Sequence, residues 1–271
     1  MKTQNIKYII ASLLFAFTLS LAAQETVNVP LSNPGKPGSL KVSLVSGSIT
    51  VKGYSGDEVI VTATTRGRRS SNRRGSKSKE GLKRIAVNSL EFSAEEYDNA
   101  VIVRSRVSKT VDFEIQVPKN FSLNLRATNN GKIYVENVNG VMDISNTNGP
   151  ITLVDISGSV SADALNRDIK VTFVEVTPDA PMAFSSLNGD IDITFPKDLK
   201  ADIKVKSDRG EIFTDFELKE KPSKAKITQG TSERGNTYRV KVEKWIVGSI
   251  NGGGPEILFK NFNGDVIIRS R

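Results

Sequence analysis

The feature that most constrains this chain is a spaced repetition between Asn129 and Val174. Set in successive lines, it reads NNGKIYVENVNGVMDIS, NTNGPITLVDISGSVSA and ALNRDIKVTFV. Ile133, Ile151 and Ile169 align in one column, Val135, Leu153 and Val171 in a second, and Val138, Ile156 and Val174 in a third; each step is 18 residues. Asn130, Asn148 and Asn166 recur at the same spacing just before each strand. Gly131 and Gly149 follow the first two, and Arg167 takes the glycine place in the third. A period near 20 with this content is the mark of a solenoid, in which one unit buries its apolar face only by stacking on the next. The Asn-Gly steps are corners, because glycine accepts positive φ and asparagine tolerates it best among the rest. Stacked corner asparagines would bond amide to amide in a ladder.

The pattern spreads in both directions. Ser46-Gly47-Ser48-Ile49-Thr50-Val51 matches the opening of a coil, and Leu187-Asn188-Gly189-Asp190-Ile191 opens another. Gly189 lies 22 residues beyond Arg167, and Gly210 lies 21 beyond Gly189. The extra residues fall in the corner VTPDAPMAF. Asn263-Gly264 begins a last coil. A larger unit also repeats: VPKNFSLNLRATNNGKI at 117–133 parallels FPKDLKADIKVKSDRGEI at 195–212. After residue 23 no stretch has the 3.6-residue period of a helix, whereas Val111, Phe113, Ile115 and Val117 alternate as a half-buried strand ending at Pro118. The expected fold is all-β: a single-stranded parallel β-helix-like solenoid with coils of about 18–22 residues, right-handed by crossover sterics. Its corners are Asn130, Gly131, Asn148, Gly149, Asn166, Asn188, Gly189, Gly210 and Gly264.

Residues 1–23 read as a secretory signal peptide. Lys2 and Lys7 precede an apolar run from Tyr8 to Leu21, and Ser20-Leu21-Ala22-Ala23 offers small residues for cleavage. Residues 24–271 would then be the exported solenoid, delivered to the periplasm, the outer surface or the medium, with no transmembrane segment after cleavage. The chain has no cysteine, so no disulfide braces it and no lipidated cysteine anchors it. It has no histidine either. Ser-His-Asp and Cys-His nucleophiles and Cys/His zinc sites are thereby excluded, and no cofactor is expected. The formal net charge is +8. It is concentrated in a loop at 66–84, where nine Lys/Arg, among them Arg66, Arg68, Arg69, Arg73, Arg74, Lys77 and Lys79, face a single Glu. Such a loop is either a solvated excursion or a patch for anionic polymer. Nucleic acid is disfavoured, since no aromatic residue lies within the run to stack a base. A second polar excursion spans 217–236.

One constellation could carry chemistry. Successive coils place Lys132, Pro150, Asp168, Asp190 and Glu211 after the corner, with Asp192 projecting from the same face beside Lys170. Stacked carboxylates are the raw material of glycoside cleavage and of Ca²⁺ binding; they are equally an ordinary solvated face. No set of metal ligands stands out. Gly252-Gly253-Gly254 lacks the Lys-Ser/Thr of a phosphate loop and reads as a tight corner. Trp245, the only tryptophan, is either a packing residue or a sugar platform.

The Val-Pro-Lys lead-in at 117–119, the tandem NGxIxV coils from 130 to 193 and the closing GSINGGGPEILFKNFNGDVII at 248–268 resemble a bacterial family of exported β-strand-repeat proteins. That family is a domain of unknown function whose members are named putative adhesins, related to the head domains of autotransporter adhesins. The resemblance covers most of residues 40–271. Arg167 and Arg209 depart from it, the first in a corner glycine place and the second in an asparagine place. It implies the fold, and an adhesive, non-enzymatic role with a surface, glycan or envelope partner; it carries over no catalytic residues. Two alternatives stand beside it: a polysaccharide-acting enzyme using Asp168, Asp190, Asp192 and Glu211, and an envelope scaffold or stress component holding anionic polymer through the basic loop.

Overall fold

The computed structural model describes residues 24–66, 92–105, 110–129, 131–222, 226–231, 238–243 and 245–271. Residues 1–23, where the sequence predicts a signal peptide, Asn130 and the basic run beyond Arg66 lie outside the described residues. Within them every regular element is a β-strand, as the period-two alternation requires. The strands form two walls. Through the middle of the first wall run, in parallel, Gly38–Ser46, Phe121–Asn129, Asn139–Asn146, the second half of Ile151–Ala164, Met182–Asn188, Glu256–Asn263 and Ala201–Ser207. Through the second run Val111–Pro118, Ile49–Tyr54, Ile133–Glu136, the first half of Ile151–Ala164, Ile169–Val176, Ile191–Phe195, Val266–Ser270 and Ile212–Thr214. Each rung is one strand from either wall, joined at an Asn-Gly-type corner.

The stacking order is not the chain order, which corrects the simple spiral expected from the sequence. Rung 38–54 sits between the rung at 100–118 and the rung at 121–136. At the far end, rung 256–270 sits between 182–195 and 201–214. The chain therefore skips over one rung at each end, and the two skips are the duplicated Pro-Lys lead-ins, Pro118-Lys119 and Pro196-Lys197. Proline ends the strand it leaves and cannot donate to a ladder, so the chain is released to climb past an occupied level. Only the stretch from 121 to 195 winds consecutively. There the register follows the repeat, with Ile133 beside Ile151 and Ile151 beside Ile169.

The inward columns close a single apolar core between the walls. Its widest part is aromatic: Phe173 stacks on Phe195 at 5.0 Å and Phe184 on Phe259 at 5.3 Å. The third sequence column is corrected here. Ile156 pairs with Phe173, across a register shift. Phe173 is fully buried and Val174 is 52% exposed. The bulge places an extra residue on one side of the ladder and turns Val174 out.

The corner glycines answer to backbone crowding more than to φ. A Cβ on Gly131 would lie 1.7 Å from the carbonyl oxygen of Gly47, and one on Gly149 would lie 1.7 Å from that of Gly131. Neither has a positive φ. The reason for glycine is that the backbone of one corner occupies the space of a side chain in the next. At Gly47, Gly189 and Gly264, and at Gly158 on the opposite side of the stack, a positive φ adds to it.

Among the described residues, antiparallel strands cover both ends of the first wall and one end of the second. Gln24–Pro30 and Glu58–Thr65 cover one end of the second wall. Phe92–Tyr97 covers the same end of the first. Ile246–Ile250 and Lys219–Lys221 cover the other end of that wall. Where the two walls meet, Ser32 donates its N–H and hydroxyl to the two oxygens of Glu96, at 2.9 Å each, and the Asn99 N–H donates to the first at 2.8 Å. These donors, Ser32's N–H first, hold the Glu96 carboxyl below its usual range. Capping of this kind protects sheet edges that would otherwise pair with another chain.

The crowding at the corners gives a direct expectation. Gly149→Ala should lower stability by about 1–3 kcal/mol through overpacking against the Gly131 carbonyl, read as a shift in urea midpoint at unchanged slope. A loss below about 0.5 kcal/mol would mean that the corner has room for a side chain.

Candidate functional site

The post-corner carboxylates come together, with one member added. In space the column runs Asp168, Asp190, Asp265, Glu211, because rung 256–270 is inserted before 201–214. Each of the first three accepts a hydrogen bond from the backbone of the next: Asp190 N–H to Asp168 Oδ1 at 3.0 Å, Asp265 N–H to Asp190 Oδ1 at 2.9 Å, and Glu211 N–H to Asp265 Oδ1 at 2.8 Å. At the opposite end Asp112 Oδ1 accepts from the Ser48 N–H at 2.8 Å, and Ser48 Oγ accepts from the Lys132 N–H at 3.2 Å. The column is a line of corner caps. It resembles an N-cap in chemistry, a short carboxylate satisfying an N–H that the turn leaves unpaired. Asp192 stands apart on the outer face of its strand, where Arg269 Nε donates to it at 2.9 Å. Among the described residues no group of three or more acidic side chains is arranged to hold a metal ion.

Of the basic-loop candidates, Arg66 is described; Arg68, Arg69, Arg73, Arg74, Lys77 and Lys79 lie outside the described residues. Arg66 Nε reaches Asp112 Oδ2 at 2.6 Å and a terminal nitrogen reaches Ser48 Oγ at 2.8 Å. Its head ties the first strand cap to the corner column.

The corner asparagines do bond in series. Asn148 donates to Asn129 at 2.9 Å, Asn166 to Asn148 at 2.8 Å, Asn188 to Asn166 at 3.1 Å and Asn263 to Asn188 at 3.5 Å. The first member is Asn129, one residue before the position given by the 18-residue step, and Asn263 joins from a rung 75 residues away. Beside the asparagines runs a second outward row, one residue earlier in each strand: Val45, Thr128, Thr147, Leu165, Leu187, Phe262. Val45 is 49% exposed, Leu165 41%, Leu187 42% and Phe262 39%. The asparagine ladder was expected from the sequence; the apolar row beside it was not. Its signal is the recurring dipeptide Thr-Asn, Thr-Asn, Leu-Asn, Leu-Asn, Phe-Asn at 128, 147, 165, 187 and 262, which a search for inward columns passes over.

At the opposite corners a cleft of about 490 Å³ opens between 174–179, the second skip at 196–200, and Gly253-Gly254-Pro255. The bulged Val174 lines it. Asn251 pins the glycine corner by donating to the carbonyls of Lys197 and Leu199, both at 2.9 Å. Gly252 and Gly253 have φ of 92° and 88°, so this run is a tight left-handed turn. Trp245 lies under Lys204 and Lys206, 5.1 and 5.9 Å from its ring centroid.

The capping role is testable. Asp190→Ala should cost about 0.5–2 kcal/mol by orphaning the Asp265 N–H, while Asp190→Asn, which keeps an acceptor in place, should cost a small part of that. Equal losses in thermal or urea unfolding would contradict the assignment.

Three solved structures match the chain at low identity. One, described as a putative cell adhesion protein from Clostridium sporogenes, aligns over 93% of this chain and 100% of its own at 11% identity and a TM-score of 0.44. Two described as putative adhesins follow. The Bacteroides fragilis protein aligns over 92% and 97% at 11% identity and 0.32, and the Parabacteroides merdae protein over 92% and 96% at 10% and 0.26. At these scores none carries an argument about this chain. No curated protein matches it. A family model does, over residues 12–244, although the stacked rung at 256–270 lies beyond that range. With most of its length matched, the chain belongs to the Toastrack DUF4097 family.

Proposed function

We propose that the protein is an exported, non-enzymatic β-solenoid that binds a glycan or similar cell-envelope surface through the paired asparagine and apolar rows of its first wall. The observation that carries this reading is the pair of rows itself. Asn148, Asn166 and Asn188 each spend one N–H and one lone pair on the ladder and keep one of each for a ligand. The neighbouring apolar residues stand exposed in line over successive rungs about 4.8 Å apart, and a contiguous apolar strip rimmed by polar groups marks an interaction surface. Amides suit sugar hydroxyls, and an apolar strip suits the flat face of a sugar ring. A repeating ligand laid along the wall meets an asparagine at each step from Asn129 to Asn263, with Leu165, Leu187 or Phe262 beside it over the last three. The coils are taken to wind right-handed in this reading.

The polysaccharide-cleaving alternative gains no support from the carboxylate column. A glycosidase needs two carboxyl groups flanking one bond; here Asp168, Asp190 and Asp265 each commit an oxygen to the next backbone N–H.

Binding of the full chain to a glycan array and to insoluble envelope polysaccharides tests the proposal. Leu165→Asp and Leu187→Asp, both on exposed outer positions, should leave folding intact and weaken binding at least about tenfold, a change of about 1.4 kcal/mol. Unchanged binding in both, or no glycan bound by the native chain, would overturn it.

A further inference from the structure

The outward rows end in a cluster of cations held on aromatic rings. On the last rungs Lys260 and Lys206 are register partners, and Lys204 stands beside Leu258. Lys204 and Lys206 lie over Trp245, and the Arg209 guanidinium lies 5.1 Å above the Phe262 ring. Phe262 is the last apolar member of the strip. Like charges placed directly across a sheet repel, so the arrangement needs a counter-charge. Lys206 has one in Asp208 at 3.1 Å, and its side chain is only 10% exposed. Among the described residues, Lys204, Arg209 and Lys260 have no carboxylate within ion-pair distance. Arg209 also breaks the corner pattern, standing where other coils carry asparagine.

We propose that this end of the wall is an anion subsite, formed by Lys204, Arg209 and Lys260 around Trp245 and Phe262, that recognises the carboxylates of an acidic glycan lying along the strip. The inference rests on the glycan-binding reading and adds the chemical class of the ligand. Cation–π contact fixes the heads of Lys204 and Arg209 at the surface without neutralising them. Phe262, 39% exposed, adds apolar surface beside those charges, a combination suited to uronate units more than to isolated small anions.

Binding of the full chain to polygalacturonate, and to neutral dextran as the uncharged comparison, decides the matter. Polygalacturonate should bind more tightly than dextran and weaken as salt rises. Arg209→Glu/Lys260→Glu should reduce its affinity at low salt about tenfold or more, with Arg209→Gln/Lys260→Gln giving a smaller loss should the reversal unfold the chain. Lys41→Glu, on the same wall but far from the cluster, should bind as the native chain does. Loss of binding in Leu187→Asp with no change in the Arg209/Lys260 variants overturns the anion subsite while leaving the glycan-binding wall standing. Dextran bound as tightly as polygalacturonate also overturns the subsite. Failure of polygalacturonate to bind overturns the subsite, and only a native chain that also binds nothing on the glycan array overturns the glycan-binding wall with it.

Discussion

Everything in this protein depends on how closely one backbone corner can approach the next. A parallel stack satisfies its N–H and C=O groups only at a spacing of about 4.8 Å. At that distance the carbonyl of one turn falls where the next turn's Cβ would be, as between Gly47, Gly131 and Gly149. Glycine at the crowded point, asparagine beside it and a carboxylate capping the following N–H are three answers to one constraint. The first removes a clash, the second bonds along the stack, and the third satisfies a donor the turn leaves over. The inward Ile, Val and Phe columns then bury the apolar surface that stabilises the stack.

The same constraint explains the ends. A solenoid that simply stopped would expose an unpaired parallel edge, open to pairing with another chain. Here the chain first lays down rung 38–54, passes outside it to build 100–118, and skips back over it at Pro118-Lys119. The far end repeats the device around Pro196-Lys197 and rung 256–270. Interleaving ties these segments into the stack at the second level: rung 38–54 and rung 256–270 are each paired on both sides, so that opening either breaks two ladders, whereas Gln24–Pro30 is held on one side only.

The consecutive coils were legible because their spacing is local and their inward residues are chemically uniform. The interleaving was not. Ile49 pairs with Ile133, and Ile191 with Val266, and a periodicity reports only the neighbour one period away. That is why Asp265 was absent from the carboxylate column and Asn263 from the ladder. Phe173 and Val174 exchange places because a bulge costs the sequence pattern nothing: both residues are apolar, and only the packing against Phe195 decides between them. The candidate site was legible in its composition and not in its use. Asp168, Asp190 and Glu211 were found by alignment as a stack of acids, while their partners are main-chain N–H groups, which carry no sequence signal. The outward strip was hidden for the converse reason, since exposed Leu and Phe read as core when taken one strand at a time.

The interleaved order is the central claim, because it brings Phe262 and Asn263 beside Leu187 and Asn188 and so completes the outer rows. The chain has no native cysteine, so engineered pairs report it cleanly. Ala183 is the register partner of Leu258, and Leu258 that of Lys204. Ala183→Cys/Leu258→Cys, at a Cα spacing of about 4.8 Å, should close a disulfide on mild oxidation, while Ala183→Cys/Lys204→Cys, two rungs apart at about 9.6 Å, should not. Closure of the second pair and not the first would show that the rungs stack in chain order and would contradict the account.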